Sequence, residues 1–360
     1  MNILVIKFRN IGDVLLISPL LNNLKHSYPS AKIDVAINQG TEAVLSENPN
    51  IDNLIIYQRD RINALPKIKR LIQELKFFLS FYQRSYDLVI NLTEGDRGAF
   101  ITKLTRSNTR IGYRNKNIIL KNVYTHQLPR QEFRHTLETN LDPLRLLNIP
   151  IKNKKVEIFC THQDHNFVSQ YLSEFETFIH IHPVSRWLFK SIANETMAII
   201  IDYCELELKH KVVITAAPIE AEIKKVNEIL SLCKSKPVNL SGKLSLKQTA
   251  ALNQKAKAFI GVDTAIMHIS AANNIPVIAF FGPSGAHHWG PWDNSHHASG
   301  YVFKNGVQRM GRHIVISESR HCQPCGADGC NGSKISDCLM HLNSELIKDC
   351  IEEISIGKSY

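Results

Sequence analysis

No stretch of this chain reaches the roughly 18–20 consecutive apolar residues that a helix needs to cross a bilayer, so no membrane-spanning helix is expected. The pattern of a signal peptide is missing as well. In MNILVIKFRNIGD the short apolar run is broken at Lys7 and Arg9, and no small-residue cleavage site follows. Both absences point to a cytoplasmic protein. Short repeats and low-complexity tracts are absent too. The first half lacks the interleaved aromatic and basic residues of common nucleic-acid modules, so no nucleic-acid partner is expected. Four of the eight cysteines, Cys160, Cys204, Cys233 and Cys350, are scattered and read as reduced packing residues.

What is present is a chain long enough for two cores, 360 residues with 44% apolar content. Short apolar strands alternate with helical segments twice over. Ile3–Ile6, Lys32–Ile37, Ile51–Tyr57 and Asp87–Asn91 read as strands in the first half, with helices through Leu15–His26 and Ile68–Tyr82. In the second half the strands are Phe178–His182, Lys211–Thr215, Val238–Leu240, Ala258–Val262 and Pro276–Phe280. Alternation of this kind predicts parallel sheets with crossover helices, an α/β fold. The polar stretch 150–176 marks the junction, giving domains 1–165 and 166–341, with a helical tail 342–360 expected to pack back across it.

Charge is unevenly divided. Residues 1–165 hold 24 Lys and Arg against 15 Asp and Glu, whereas residues 166–360 hold 19 against 18. A basic first half suits an anionic partner such as a nucleic acid, an anionic lipid or a phosphorylated saccharide. Its densest basic run, Pro66–Arg70 (PKIKR), reads as a helix face.

In open parallel sheets, ligands sit beyond the carboxyl ends of the strands, so the strand-end loops are the candidate sites. The first is Arg9–Asp13, where Gly12 permits a tight turn and Asp13 stands at or near the cap of the next helix. There Asp13 is either a cap or a general base. The second runs from Gly261 to His268. Asp263 can cap the helix, and Thr264 and Ala265 present amides to a phosphate, with His268 on the face of Thr264. The third holds Ser185, Arg186 and Lys190, a hydroxyl and two cations suited to an anion. In the fourth, Glu220 and Glu222 offer a carboxylate for a ribose or simply favourable charge in a helix's first turn.

The runs FRNIGDVLLISPLLNNLK, HPVSRWLFK, SGKLSLKQTAAL, GVDTAIMHISAANNIPVIAFFGPS and WGPW resemble glycosyltransferase family 9, the lipopolysaccharide heptosyltransferases. The tail CQPCGADGCNGSKISDCL resembles its heptosyltransferase III branch, which adds a side-branch heptose to the inner core. The resemblance implies a GT-B fold, two Rossmann-like domains facing each other across a cleft. The first domain would take the lipopolysaccharide core acceptor and the second ADP-heptose. It implies inverting transfer without a metal or other cofactor, at the inner face of the membrane with peripheral contact. By position, Asp13 matches the family's base and Lys190 the lysine at the donor phosphates. Asp263, Thr264, Ala265 and His268 match its DTxxxH donor motif, and Glu220 or Glu222 the ribose carboxylate. Arg9, Asn10, Gly12, Arg61, Arg97, Arg106, Arg110 and Arg114 are candidate acceptor contacts. The competing readings are transfer to a different glycan or protein, and a nucleotide-sugar epimerase.

Cys322, Cys325, Cys330 and Cys338 lie within 17 residues of one another. Four thiolates can hold structural zinc, but only the first two have CxxC spacing, so packing in a Gly-rich loop is the preferred reading.

Overall fold

Val, Ile and Leu fill the first strand so completely that Ile3, Leu4, Val5 and Ile6 are all fully buried. Such continuous runs are the mark of a strand covered by helices on both faces, and each large side chain so buried contributes about 1.5–3 kcal/mol. The structure is a computed structural model that describes residues 1–130, 133–172 and 177–355. The chain divides into two compact units, Met1–Lys154 and Lys155–Tyr360.

In the first unit the strands are β1 (Asn2–Lys7), β2 (Lys32–Asn38), β3 (Asn53–Tyr57), β4 (Leu88–Asn91), β5 (Thr109–Gly112) and β6 (His126–Gln127). They pair in parallel in the order β3-β2-β1-β4-β5-β6. The helices are α1 (Ile11–Leu15), α2 (Ser18–Ser27), α3 (Arg59–Asn63), α4 (Lys67–Tyr82), α5 (Asp96–Leu104), α6 (Thr136–Asn140) and α7 (Asp142–Leu146). The helix expected over 15–26 is broken at Leu16–Ile17, and α2 restarts with Pro19 in its first turn, where a missing N–H costs nothing.

The second unit repeats the plan. Its strands are β7 (Phe178–His182), β8 (Lys211–Ile214), β9 (Val238–Asn239), β10 (Ala256–Val262), β11 (Val277–Phe280), β12 (Val307–Met310) and β13 (His313–Ile316). The order is β12-β13-β11-β10-β7-β8-β9, parallel except for the β12–β13 hairpin. Counted from its own first strand, this is the 3-2-1-4-5-6 order of the first unit with one antiparallel strand added at the edge. Both units are therefore Rossmann-like. The order reverses between β1 and β4 in one, and between β7 and β10 in the other, and ligands gather at such switch points.

One boundary differs from the sequence reading. Helix α8 (His162–Leu172) packs Val168 into a cluster with Leu240, Leu244 and Leu252, so residues from Lys155 onward belong to the second unit. The junction thus precedes the expected 165/166, because the polar stretch 150–176 shows no strong period to signal the helix within it. The helix of the tail, Ser344–Ser355, packs on the second unit's own core. It places Ile347, Cys350 and Ile351 beside Ile200, Tyr203 and Cys204. The earlier boundary sharpens the charge division: 23 basic against 13 acidic residues in the first unit, and 20 against 20 in the second.

Candidate functional site

At the first unit's switch point, the loop after β1 leads straight into α1. Asn10, not Asp13, occupies the N-cap position, and Asp13 is the third residue of the helix. Gly12 lies inside α1 and is not among the residues with left-handed backbone, so no turn rests on it. Asp13 is therefore not the N-cap residue of α1. Half-buried, it interacts with a residue the sequence reading passed over, Lys7 at the end of β1. The Lys7 ammonium is buried and donates to the Leu92 carbonyl at 3.4 Å and to Asn140 Oδ1 at 3.1 Å. Burial lowers its pKa to about 8, while the Asp13 carboxylate pulls it up and Arg9 pushes it down. Asn140 in turn donates to the Leu16 carbonyl at 3.1 Å, tying α6 to the end of α1.

Because the strands are parallel, the sheet sorts the acceptor candidates. Arg9 and Asn10 follow β1, Arg61 follows β3, Arg97 follows β4 and Arg114 follows β5, all at the carboxyl edge. Arg9, Asn10, Arg61 and Arg114 are exposed. Arg97 stacks over the Tyr57 ring at 4.2 Å. Arg110 and Arg106 do not join them. Arg110 sits within β5 and donates to the carbonyls of Val123 (2.6 Å) and Ser107, which makes it a brace between β5 and the following loop. Arg106 precedes β5 and lies over the Tyr82 ring at 4.5 Å.

The second unit's helices after α8 include α9 (Asn194–Asp202), α10 (Glu220–Leu232), α11 (Leu246–Asn253) and α12 (Ala265–Ala272), and α12 follows β10 at the unit's own switch point. Lys190, on a short turn after β7, donates to Asp263 Oδ2 at 2.6 Å, so one ion pair bridges the ends of β7 and β10. Ser284, at the end of β11, donates to the same oxygen at 2.5 Å. Burial raises the Asp263 pKa, but Lys190 and Ser284 outweigh it and the carboxyl is held below its usual range. Asp263 thus does not cap α12. Thr264 does, its Oγ1 accepting from Met267 N at 3.4 Å. His268 is buried one turn into α12. Burial lowers its pKa to about 4, so it is neutral at pH 7. Its Nδ1 is buried with no hydrogen-bond partner.

A polar layer behind this site was not read from the sequence. His180 and His182, successive inward residues of β7, both meet Thr215 Oγ1, at 2.7 and 2.8 Å. Asn253 reaches His180 Nδ1 at 3.0 Å and Ser270 of α12 at 2.9 Å. Since Asn253 donates to Nδ1, His180 is protonated on Nε2 and donates from it to Thr215 Oγ1, whose hydroxyl in turn donates to His182 Nδ1. The chain of bonds ties α12 to β7 and β8.

Ser185 forms a local turn with Trp187, its Oγ accepting from Trp187 N at 3.0 Å. Arg186 is exposed over the Trp187 ring at 5.5 Å. The two acidic candidates separate. Glu220 is exposed, whereas Glu222 is buried with its Oε2 accepting from Ala217 N at 3.0 Å, just past β8. Burial raises the Glu222 pKa.

Cys322 and Cys325 are exposed, Cys330 is half-buried and Cys338 is buried, all as free thiols. Burial pushes the Cys338 thiol up to about 11, and the neighbouring Cys330 adds to the rise. Among the described residues, no group of three or more His, Cys, Asp and Glu side chains is placed to hold a metal ion. The loop leans instead on the strand end that carries Ser284, with Gln323 donating to the Gly282 carbonyl at 3.2 Å.

Comparison with known proteins fits this geometry. The profile of glycosyltransferase family 9 (heptosyltransferase) matches residues 74–309, a span that contains Lys190, Glu222 and Asp263 but not Asp13. A lipopolysaccharide heptosyltransferase 3 of Escherichia coli is 32% identical over 297 residues, 79% of this chain and 84% of that protein. A family 9 glycosyltransferase of Veillonella parvula superposes with a TM-score of 0.79 at 20% identity, covering 99% of this chain and 97% of its own. E. coli heptosyltransferase WaaC with ADP superposes with a TM-score of 0.72 at 16% identity, covering 98% and 100%. At such identities the solved structures establish the fold, GT-B. The family match and the E. coli relative establish more: the chain belongs to glycosyltransferase family 9, the heptosyltransferases.

Proposed function

We propose that this enzyme transfers heptose from ADP-heptose to a hydroxyl of the lipopolysaccharide inner core, as a heptosyltransferase III-like side-branch transferase. The transfer inverts the anomeric carbon and needs no metal. The observation that carries the reading is the Lys190–Asp263 pair across the second switch point, beside a buried His268 whose Nδ1 lacks a partner. WaaC, solved with ADP, shares this fold, and the relative at 32% identity acts in lipopolysaccharide synthesis by its name.

In this reading the acceptor hydroxyl attacks the anomeric carbon as Asp13 takes its proton. Negative charge grows on the departing diphosphate. Lys190 and the amides opening α12 at Thr264 and Ala265 are the groups that neutralise it, with Arg186 and Ser185 at the same strand end. Lys7 is a positioning residue: its buried ammonium attracts the Asp13 carboxylate and orients it at the end of β1 for as long as the ammonium is charged. The wild-type kcat/KM profile then bends downward above pH of about 8, where Lys7 gives up its proton. Lys7→Met lies lower at neutral pH and lacks that bend. An unchanged profile in Lys7→Met removes Lys7 from the account.

Glu222 is the better ribose partner, because its carboxylate is buried in the first turn of α10 and held against Ala217 just past β8, while Glu220 faces solvent. Isothermal titration with ADP tests the choice: Glu222→Gln weakens binding by about tenfold, the worth of one hydrogen bond to a charged group, and Glu220→Gln does not. Equal losses, or a loss in Glu220→Gln alone, reverse it. The acceptor side is tested by incubating the enzyme and ADP-heptose with truncated core acceptors and locating the added heptose by NMR. A side-branch heptose on the inner core is the expected product, and modification of a different glycan or a protein alone points to the competing transferase.

A further inference from the structure

Helix α4 has two apolar faces, and the first unit covers only one of them. Phe77 and Phe81 turn inward. Phe77 packs on Tyr57 at 4.9 Å and on Phe81 at 5.2 Å. Outward stand Ile68, Leu71, Ile72, Leu75, Leu79 and Tyr82, each 44 to 75% exposed. At about 100° per residue these six fall within one arc of about 100°, centred almost opposite Phe77. Contiguous apolar surface of this kind marks an interaction site.

Charge says what covers it. The helix carries Lys67, Lys69, Arg70 and Lys76 against one acid, Glu74, which is half-buried and lies within 3.4 Å of the Tyr57 hydroxyl on the inward side. On the wheel, Lys69 and Lys76 border the stripe. Phe78 stacks on Phe100 of α5 at 5.1 Å, and Phe100 is itself exposed. On the far side of α5, Leu120 packs on Ala99, and the adjoining Ile118 and Ile119 stand 85 and 74% exposed between Lys116 and Lys121. All of this lies on the unit that holds the chain's entire excess of basic residues. A second copy would set two such basic surfaces against each other, and lysine is depleted at protein interfaces. An anionic bilayer offers both complements, an acyl boundary for the stripe and phosphates for its lysines. The helix of 16 residues is too short to span it. Tyr82 closes the stripe with the amphipathic ring favoured at that depth.

We propose that the outward face of α4 seats the first unit in the interfacial layer of an anionic lipid membrane. This rests on the reading that the acceptor is lipid-linked and says which surface meets the membrane. Sedimentation of the full chain with vesicles tests it without requiring transfer. The wild type sediments with 3:1 phosphatidylethanolamine:phosphatidylglycerol vesicles, and pure phosphatidylcholine or 0.5 M salt weakens binding at least fivefold. The double variant Leu71→Asn/Leu75→Asn, altered only at exposed positions, loses at least tenfold in apparent affinity. It keeps its melting temperature and its heptose transfer to a water-soluble, delipidated core acceptor. Charge reversal by Lys67→Glu/Lys69→Glu/Lys76→Glu gives the same loss. No sedimentation of the wild type, or wild-type binding by both variants, overturns the proposal. So does light scattering that finds a dimer which the leucine variant dissociates. Vesicle binding by a chain that transfers no heptose overturns the transferase reading and leaves this surface in place.

Discussion

Asp13→Asn lowers kcat for heptose transfer by about 10²–10⁴-fold, the range a positioned general base contributes, and leaves ADP binding unchanged. The asparagine keeps the shape of the side chain and removes only the basic oxygen. The size of the effect separates two roles. As an acid in the first turn of α1, Asp13 interacts with the helix dipole, which is worth about 0.3–1 kcal/mol of stability and nothing in transfer. A variant that melts slightly lower yet transfers at near wild-type rate makes Asp13 structural. A variant that folds, binds ADP and does not transfer makes it the base. Lys7 adds a signature. Since the Asp13 carboxylate raises the Lys7 pKa, its removal sends that value below about 8 and leaves a buried ammonium less compensated.

The second large effect is at Lys190. Lys190→Ala lowers kcat/KM by about 10²–10³-fold, the cost of removing one group aimed at developing charge. It also destabilises the second unit, because the buried Asp263 carboxylate keeps only Ser284. Breaking a buried pair by removing one partner costs about 3–5 kcal/mol. The figure here is smaller, since Lys190 is partly exposed. The two losses are separable. Lys190→Ala/Asp263→Asn leaves no uncompensated charge, so it recovers most of the lost melting temperature and still fails to transfer. Recovery of transfer along with stability would reduce Lys190 to a structural ion pair. The sign of the acid response follows from the same pair. The Asp263 carboxyl is held down in the folded state, so its stabilisation is present above the unfolded value of about 3.9. It is lost as pH falls through the lower folded value.

Most of this architecture is legible in the sequence because parallel strands buried on both faces must be apolar throughout. DLVIN, FIHIH, KVVIT and PVIAF therefore stand out from their surroundings. The β12–β13 hairpin does not, since Gln308, Arg309 and His313 interrupt its apolar residues, and its turn shows only as Gly311 with φ of 55°. The tail helix shows its helical period but not its destination, because nothing local names the core that an apolar stripe will join. Strand-to-helix junctions are where the sequence places Asp13, Lys190, Asp263 and His268, and in the structure they follow β1, β7 and β10 in their two units. Local rules then misassigned the caps. Asp13 and Asp263 both looked like N-caps, and the structure gives those places to Asn10 and Thr264. Lys7 escaped notice because a lysine at a strand end is ordinarily solvated. Only the fold shows Leu92 and Asn140, 85 and 133 residues away, enclosing it. Arg110 failed in the opposite way, as a basic residue whose guanidinium is held by Val123 and Ser107.

The measurement that tests the account most directly is transfer by metal-stripped protein in excess chelator, with ADP-heptose and an inner-core acceptor, read by mass and by the anomeric configuration of the product. The account predicts one heptose added with inverted configuration, at a rate the chelator does not change and that Asp13→Asn lowers by about 10²–10⁴-fold. A donor sugar altered in the absence of acceptor, a product with retained configuration, or transfer that returns only when a divalent metal is restored would contradict it.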